Sequence, residues 1–568
     1  PRMGALLRVV RGLEGLPRHR GIHVGGFVLT GEPLSSVVPI EPAAMEGRTI
    51  IQWDKDDLGP VGLVKIDLLG LGMLTLLSDA LDRVRARGVP LDLHTIPADD
   101  PETYALIQRA DTVGVFQVES RAQMNVLPRT RPERFYDLVV QVALIRPGPI
   151  QGDMVHPYLR RRRGQEPVSY LHPMLEPVLR RTLGVPLFQE QGMKVAITAA
   201  GFSPAQADAL RRAMGRKRDR HTMARLSLEL MQGMEKSGIE ASVAERIVKQ
   251  LAAFASYGFP ESHAASFALL VYASAYLKAH HAPEFYAALL DAQPMGFYPV
   301  GSILADAKRR GVALRRPDVN RSGWGTRLEE AGDGRALRLG LRLVHGLGAK
   351  ARERLEAALR AQPFASVEAF AEATRLGRKA LVALARAGAL DGLAANRREA
   401  LWEVLRVARP RAGPLDRPGR DRSPPALEAP TPAQLTLDDY ASLGGTTGTH
   451  PIAYLAPRRR RAGMPTLAEL AAHPTGPVRV VGLVNSRQRP ATAKGFVFLS
   501  LEDETGMANV VVRPDLFERQ HELITGCPVL YVEGLLERRH GVVNVIARRF
   551  RAVRRVPGAD RTRSHDFH

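Results

Sequence analysis

An aspartate stands where a short apolar run gives way to glycine turns. Asp67 lies in VKIDLLGLG, and this pattern predicts that it ends a β-strand. Carboxylates held close together at strand ends bind Mg²⁺ and neutralise the charge that develops during phosphoryl transfer. Asp67 is therefore the first candidate as catalytic residue and metal ligand, although a lone aspartate is more often a cap or a salt-bridge partner.

Three further aspartates lie close to this residue. Asp54, Asp56 and Asp57 fall within QWDKDD, and their spacing is typical of an exposed turn. We favour a surface position for this cluster over a second metal site.

A dense basic run follows a segment with helix-capping signals. Ser203 is a favourable N-cap, Pro204 suits the first helical position, and Gly215 is placed to end the helix. Basic side chains in and after the last turn would present rigid forks to a triphosphate, and a solvated charge run is the alternative. The residues predicted to bind nucleotide here are Arg211, Arg212 and Lys217.

A histidine stands near the start of a long apolar segment, SHAASFALLVYASAYLKAH. Ser262 is predicted to cap this helix, which places His263 in the first turn. A helix N-terminus attracts phosphate oxygens, and a histidine there can donate a hydrogen bond to one. A capping or packing histidine is the alternative.

Two other basic segments indicate DNA contact. Arg160 and Arg161 open a run of four arginines after HPYL. In VHGLGAKARERL, Gly346 and Gly348 precede a helix that carries Lys350, as in a helix–hairpin–helix. Free backbone N–H groups of such a hairpin hold a DNA phosphate without reading sequence.

A late β-rich segment mixes charge and aromatic side chains. Arg487, Arg489 and Lys494 interleave with Phe496, a pattern that predicts a groove of charge and stacking for a single strand. The aromatic residue could equally belong to the core.

The whole chain is strongly basic. It has 568 residues, enough for about three to five domains, and a formal net charge of +21. Such a charge indicates a polyanionic partner, with an arginine-rich genomic bias as the alternative.

The single cysteine, Cys527, excludes an internal disulfide and a cysteine-based zinc site, and fits the cytoplasm.

The longest strongly apolar stretch, Phe267 to Leu277, has 11 residues, so we predict a buried helix and no membrane partner. The chain begins with Pro1 and shows no cleavable signal, so we expect a trimmed or missing upstream part.

The pattern of apolar residues divides the chain into regions. Residues 1–72 read as strands of a mixed sheet, 73–320 as helices, and 321–407 as a short β patch with small helices. The Pro- and Arg-rich residues 408–433 are typical of a flexible linker. After a connecting segment, five strands with a helix between the third and fourth resemble an OB-fold. The predicted strands are Val478–Val484, Phe496–Glu502, Ala508–Val512, Val529–Glu533 and Val542–Ala547.

Taken in order, these segments resemble the C-family DNA polymerases, the bacterial polymerase III α-subunit type. The number of ordered matches across residues 11–322 makes the resemblance specific. The matching motifs are EGLPRHRGIHVGG, QWDKDD, GLVKIDLLGL, GVFQVESR, IRPGP, FQEQGM, LRRAMGRK, YGFPESHAASFA and PDVNRS.

The resemblance implies a multidomain α/β and α fold. Its parts would be a partial mixed-sheet palm with the end of the thumb, large mainly helical fingers, a helix–hairpin–helix domain facing DNA or a clamp, and an OB-like β-barrel. The corresponding residues are 1–72, 73–320, 321–407 and 478–555, with the linker 408–433, a connecting segment 434–477 and a tail 556–568.

The resemblance also implies roles for individual residues. Asp67 resembles the third metal-binding palm aspartate, and Lys65 would lie beside it. Arg211, Arg212 and His263 resemble fingers residues that grip the incoming triphosphate. The implied substrates are primed DNA and dNTPs, the cofactor is Mg²⁺, and a sliding clamp or accessory mutagenesis proteins are the expected partners.

Within the family, the barrel stretch and the tail SHDFH resemble the error-prone, damage-tolerant branch. The alternatives are the main replicative subunit and a noncatalytic DNA-binding remnant or scaffold.

Two features depart from the family pattern. The Asp-x-Asp motif that supplies the other two palm aspartates does not precede Asp67, and the N-terminal PHP domain is absent from these residues. We therefore expect these 568 residues alone to be inactive as a polymerase. The segment QLTLD at Gln434 faintly resembles a clamp-binding peptide, and chance explains it more readily.

Overall fold

The structure, a computed structural model, describes most of the chain and divides it into two compact units, Pro1–Leu74 and Thr75–His568. The described residues are 2–13, 26–43, 46–53, 55–58, 61–67, 72–145, 155–215, 220–254, 259–332, 334–408, 425–490, 493–539, 542–562 and 564–567.

The described part of the first unit has one helix of 12 residues and several shorter elements. Helix α1 (Arg2–Leu13) alternates arginines with aliphatic residues and buries none of them. A one-turn helix, α2, spans Lys55–Leu58. The strands among the described residues of this unit are β1 (Gly26–Leu29), β2 (Ile40–Pro42), β3 (Thr49–Ile51) and β4 (Val64–Asp67).

These strands form two antiparallel pairs, β1 with β4 and β2 with β3. The sequence correctly placed strands in this region, but the expected single mixed sheet is wrong for the described residues. Each strand is only three or four residues long and pairs with one neighbour.

The second unit begins with the helical region that the apolar spacing predicted. Its helices are α3 (Gly72–Arg85), α4 (Pro101–Gln108), α5 (Arg121–Thr130), α6 (Phe135–Leu144), α7 (Val155–Arg162), α8 (Glu176–Leu179), α9 (Gln189–Ala200), α10 (Pro204–Gly215), α11 (Arg220–Lys236), α12 (Ala241–Phe254), α13 (Glu261–His280), α14 (Ala282–Asp291) and α15 (Val300–Arg309).

Helix α13 lies at the centre of this region. Its apolar stretch packs against α4 and α6, as expected for a buried helix rather than a membrane span. Within the described residues, no helix combines the length and apolar character that a bilayer crossing needs.

A small mixed sheet follows. Strand β7 (Gly334–Arg338) pairs in parallel with β5 (Ala313–Arg315) and antiparallel with β6 (Arg327–Ala331). Most of the predicted linker, residues 409–424, lies outside the described residues. Helices α16 (Ala349–Ala358), α17 (Val367–Thr374), α18 (Arg378–Arg386) and α19 (Arg397–Val407) precede the linker in the chain. Helices α20 (Pro432–Leu443) and α21 (Ala456–Arg461) follow it.

The C-terminal strands close into a five-stranded barrel with α22 (Pro514–Gly526) between the third and fourth, which confirms the predicted OB-fold. The barrel strands are β8 (Gly476–Gln488), β9 (Val497–Glu502), β10 (Met507–Val512), β11 (Val529–Arg539) and β12 (Val542–Ala552). Strand β8 closes the barrel by pairing with both β9 and β11. A tail strand, β13 (His565–Phe567), pairs in parallel with the end of β8. The predicted multidomain α/β fold class is confirmed.

Candidate functional site

Asp67 is the last residue of β4, where its backbone pairs with Gly26 of β1. The prediction that it ends a strand is therefore confirmed, while its side chain lies outside the described residues. Lys65, two residues earlier on the same strand, is exposed.

In the QWDKDD segment, the expected turn is instead the one-turn helix α2, and Asp54 lies outside the described residues.

Helix α10 begins as its capping signals predicted. The Ser203 hydroxyl accepts a hydrogen bond from the Gln206 backbone N–H at 3.3 Å, and the Gln206 side chain accepts one from the Ser203 N–H at 2.9 Å. This reciprocal pair is a capping box. It fixes the direction of the helix whose last turn carries the candidate triphosphate ligands.

Of those ligands, only Arg211 has a described side chain. Its Nε donates to Asp208 Oδ1 at 2.9 Å, and 39% of the side chain is exposed. Such exposed pairs contribute little stability, so a phosphate could replace the carboxylate. The Arg212 side chain and Lys217 lie outside the described residues, and nucleotide binding at all three stays a prediction.

The start of helix α13 differs from the sequence expectation. The helix begins at Glu261, and Pro260 rather than Ser262 is the N-cap. Pro260 has no side-chain cap to offer, so a carboxylate oxygen of Glu190, from α9, accepts the Glu261 N–H at 3.0 Å. A cap supplied by a residue 71 positions away leaves no local signal in the sequence.

His263 nevertheless lies in the first turn of α13 and is exposed. Its ring contacts Phe267, with centroids 4.1 Å apart, and Phe259, with centroids 5.0 Å apart. These two aromatic rings hold the imidazole at the positive end of the helix dipole. The arrangement suits donation to an anionic ligand.

A cavity of about 410 Å³ opens beside the same helix end. Arg134 and Arg181 line it, with 74% and 66% of their side chains exposed. The Arg181 guanidinium stacks 3.7 Å from the centre of the Tyr136 ring, and the Tyr136 hydroxyl donates to Glu261 at 2.8 Å. Sequence analysis missed these arginines because they belong to distant segments of the chain, which only the fold brings to one cavity.

A buried carboxylate organises the GVFQVESR segment. Glu119 accepts hydrogen bonds from the backbone N–H groups of Gly114 at 2.8 Å and Phe297 at 3.2 Å. Burial raises the pKa of Glu119 to about 7, although these two N–H groups act in the opposite direction. Glu119 thus connects two loops, and burial destabilises the charged form of its side chain.

We predict that Glu119 makes the stability of the protein depend on pH. Because its folded-state pKa of about 7 exceeds the unfolded value of 4.5, its contribution is full below pH 4.5 and is lost as pH rises through 7. The free energy of unfolding should fall by about 3 kcal/mol across this window. Urea unfolding at a series of pH values, compared with Glu119→Gln, measures the difference; parallel curves for the two proteins would contradict the assignment.

Arg160 and Arg161 differ in what they can contact. Arg160 is half-exposed and pairs with Glu166 at 2.7 Å. Arg161 is 11% exposed, and its guanidinium donates to Leu183 O at 2.7 Å and to Ser169 Oγ at 2.9 Å. The fork of Arg161 is therefore used within the protein, and its contact with DNA stays a prediction.

The predicted hairpin is present between the 3-10 turn Leu341–Leu343 and helix α16. Gly346 has φ +89°, a left-handed conformation that favours glycine, and Gly348 is the N-cap of α16. Both glycines are exposed, and a β-carbon on either would meet nothing within 4 Å. Lys350 is exposed in the first turn. The hairpin surface is therefore open to a phosphate.

The predicted groove on the barrel is only partly present. Arg487 is 11% exposed, and its guanidinium donates to Ile524 O and Cys527 O, both at 2.7 Å. These contacts use the guanidinium within the barrel, and the role of Arg487 in DNA binding stays a prediction. Lys494 is exposed and Phe496 is half-buried, which leaves their predicted roles open.

Arg489 of the same groove lies 5.0 Å from the centre of the Phe517 ring. It is exposed, and its role in DNA binding stays a prediction.

The segment at Gln434 is helical rather than an extended peptide. Gln434 forms a capping box with Thr431 at the start of α20, and Asp439 is buried against Arg397 at 2.8 Å. These contacts agree with a chance resemblance to a clamp-binding peptide.

The described part of the chain holds no group of three or more His, Cys, Asp or Glu residues that could bind a metal ion. Asp67 alone cannot make a two-metal centre. The described residues therefore do not fit such a centre by themselves.

Four family models match the chain in order. A model of the bacterial DNA polymerase III alpha NTPase domain matches residues 1–70, and one of the finger domain of that subunit matches 73–238. A helix-hairpin-helix model matches residues 311–400, and an OB-fold nucleic acid binding domain matches 478–553.

Similar proteins match along the whole chain. The error-prone DNA polymerases of Anaeromyxobacter sp. (strain K) and Alkalilimnicola ehrlichii are both 50% identical over 100% of this chain, and over 52% and 56% of their own lengths. That of Pseudomonas aeruginosa is 48% identical over 100% of this chain and 56% of its own length. The chain thus spans about half the length of these relatives, and along its whole length it is similar to these polymerases.

Proposed function

We propose that this chain takes part in template-directed DNA synthesis of the error-prone, damage-induced type. The observation that carries the proposal is the identity of about half the residues, over the full chain, to proteins named error-prone DNA polymerase. In this reaction the primer 3′-hydroxyl attacks the α-phosphorus of a dNTP. A new P–O bond forms, the bond to the bridging oxygen breaks, and pyrophosphate leaves.

The proposed roles of the fingers residues follow from their positions. Arg211, Arg212 and Lys217 would neutralise the triphosphate, and His263 would donate to it from the start of α13. The exposed ion pair between Arg211 and Asp208, in which a phosphate can replace the carboxylate, supports the first role. The aromatic support of the His263 ring supports the second.

Mg²⁺ is the proposed cofactor, as C-family polymerases use divalent metal ions. Asp67 is the one ligand that we assign to this chain. A carboxylate at the end of a strand is chemically suited to Mg²⁺, which prefers oxygen ligands. We place the reaction in the cytoplasm, with a sliding clamp or accessory mutagenesis proteins as further partners.

Primed DNA is the proposed substrate, bound mainly through its phosphates. The open hairpin of Gly346 and Gly348 supports this, since both glycines are exposed and a β-carbon on either would meet nothing within 4 Å. Lys350 adds a positive charge at the same helix start.

We predict that binding of primed DNA weakens steeply with salt, by about tenfold or more from low to physiological concentration. Lys350→Gln should weaken binding by about threefold and reduce the salt slope by about one. Fluorescence anisotropy on a labelled primer–template across a salt series measures both. The matched control is Lys236→Gln, which removes an exposed lysine in α11 and should change neither quantity. A salt-independent affinity would overturn the electrostatic basis of the proposal.

A further inference from the structure

The barrel packs against the helical region through polar contacts. Arg121 of α5 donates through Nε to Ser500 Oγ at 2.9 Å, and Asn509 Nδ2 donates to Asn125 Oδ1 at 2.6 Å. Ser500 is fully buried. Strands β9 and β10 therefore lie directly against α5.

A second set of contacts surrounds Glu502 of β9, which is 1% exposed. Arg309 of α15 pairs with it at 3.1 Å, the Ser302 hydroxyl donates to it at 2.7 Å, and Asn485 donates at 2.8 Å. Because Arg309 supplies the counter-charge, this buried carboxylate is already satisfied within the protein.

A cavity of about 550 Å³ lies among these contacts, between the helical region and the barrel. We call it the interdomain cavity. Its volume falls in the range of about 300–1,000 Å³ that is usual for small-molecule sites. Its charged lining residues are Arg109, Asp111, Arg121, Asp306, Arg309 and Arg310.

Positive charge exceeds negative charge around the interdomain cavity. Asp306 pairs with Arg309 at 3.3 Å, and Asp111 pairs with Arg310. The buried Lys278 contacts both aspartates as well. The two carboxylates are thus shared among cations that already surround them, and neither is left to neutralise the other two arginines of the lining.

Arg121 has only neutral partners. Besides Ser500, its guanidinium contacts the thioether sulfurs of Met124 at 3.8 Å and Met507 at 3.2 Å, and among the described residues it has no ion pair with a carboxylate. It is partly buried and lies in the first turn of α5, where the helix dipole disfavours a cation. A partly desolvated charge in this position costs stability unless an anion neutralises it.

Arg109 lines the same cavity from the end of α4. It is exposed, and it forms no ion pair in the part of the chain that the structure describes. The interdomain cavity is therefore open to solvent at this residue, so a dissolved ligand can enter it.

An apolar wall completes the interdomain cavity. It is formed by Met124 and Pro128 of α5 and by Val542 and Val543 of β12. An aromatic base can pack against such a wall while arginine forks hold the phosphates attached to it. Inorganic phosphate would use the arginines alone and leave the wall without a partner.

We propose that the interdomain cavity binds a free nucleoside di- or triphosphate, with its phosphates on Arg109 and Arg121 and its base on the apolar wall. Neither Arg211 nor His263 is among the residues that line this cavity, so the site is separate from the triphosphate site proposed above. Binding requires neither primer nor template. Because the ligand contacts both α5 and β12, it stabilises the packing of the barrel on the helical region.

The test is binding of a fluorescent N-methylanthraniloyl derivative of ADP to the full chain without DNA, followed by anisotropy. We expect Arg121→Gln and Arg109→Gln each to weaken binding by about tenfold, because each removes a charge-assisted contact with phosphate. The matched control is Arg519→Gln, which removes a cation that is 64% exposed on α22 of the barrel and should change binding less than twofold.

Two further measurements identify the ligand class and the place. Unlabelled ADP should displace the probe at a lower concentration than pyrophosphate, since only ADP uses the apolar wall. ADP should also slow hydrogen exchange in α5 and β12 of the wild type, and not in Arg121→Gln.

The exposed Arg109 makes the test independent of barrel packing. Arg121→Gln also removes the contact with Ser500, whereas Arg109→Gln leaves the described hydrogen bonds between α5 and the barrel in place. Weaker binding in Arg109→Gln is therefore a loss of ligand contact. Circular dichroism and thermal unfolding check that each variant is folded.

Four outcomes would overturn the inference. Weaker binding in Arg211→Gln, with wild-type affinity in Arg109→Gln and Arg121→Gln, assigns the nucleotide to the fingers. Displacement of the probe by an oligonucleotide but not by ADP assigns the cavity to a nucleic-acid phosphate. Equal displacement by ADP and pyrophosphate removes the base contact. No binding of the probe by the wild type at millimolar concentration removes the site altogether.

Discussion

Asp67→Asn is expected to lower primer extension by about a thousandfold or more, when this chain is assayed within a polymerase of its relatives' full length. The substitution keeps the size of the side chain and removes the negative charge that the proposed function assigns to Mg²⁺ binding. Binding of primed DNA should survive, because the hairpin of Gly346 and Gly348 lies elsewhere in the sequence. Extension assays and anisotropy on the same primer–template measure the two effects separately.

The control is Asp82→Asn, the same chemical change at a side chain that is 62% exposed on α3. It pairs with Arg85 on the surface, so extension should stay within about twofold of wild type. Retained extension in Asp67→Asn would remove this residue from the catalytic site. Lack of extension in the unsubstituted polymerase would favour the noncatalytic DNA-binding alternative.

Lys278→Ala is expected to lower the free energy of unfolding by about 3–5 kcal/mol. Lys278 is fully buried, and its ammonium group contacts Asp306 at 2.8 Å, Asp111 at 3.1 Å and Val113 O at 2.9 Å. Although burial raises the pKa of Asp306, Lys278 and Arg309 outweigh it and hold that pKa below its ordinary value. Removing the lysine leaves a buried carboxylate without its main counter-charge. Urea unfolding followed by circular dichroism measures the loss.

Two variants sharpen this test. Arg180→Ala removes a cation that is 71% exposed and pairs with Glu176, so it should cost less than about 1 kcal/mol. Adding Asp306→Asn to Lys278→Ala should recover part of the stability, because the unpaired charge is removed. Equal losses of unfolding free energy in Lys278→Ala and Arg180→Ala would show that the buried pair contributes no more to stability than an exposed one.

Local signals predicted helices well where the capping residues are neighbours in the chain. Ser203 and Gln206 lie three residues apart, and the structure confirms both the cap and the start of α10. At α13 the same reasoning chose Ser262, whereas the cap comes from Glu190 on another helix. The position of His263 in the first turn was still correct, because a shift of one or two residues stays within that turn.

Residue type could not separate exposed arginines from those whose guanidinium is used within the protein. Arg161 and Arg487 stand in runs as basic as any other in the chain, yet both donate to backbone carbonyls that the fold brings from distant positions. Arg479 of β8 and Arg549 of β12 show the converse. They come from different strands, and only the register of Glu533 between them puts them side by side.

The barrel, by contrast, was predicted almost completely. Alternating apolar residues and the intervening helix fixed the number and order of the strands, since each inward position must fill one core. The strand ends were less accurate: β11 and β12 extend to Arg539 and Ala552, beyond their apolar centres. These extensions carry polar residues that the apolar pattern does not mark.

The tail strand β13 covers part of a strand edge of the barrel. Strand β11 pairs with β8 only as far as Leu483, so the backbone of residues 486–488 would otherwise present an open edge on that side. Strand β13 occupies this edge, and Arg487 holds it through Asp566 at 3.5 Å. An open strand edge is a template for aggregation or strand exchange between molecules. Strand β13 thus covers a backbone edge that would otherwise be open to pairing with another molecule.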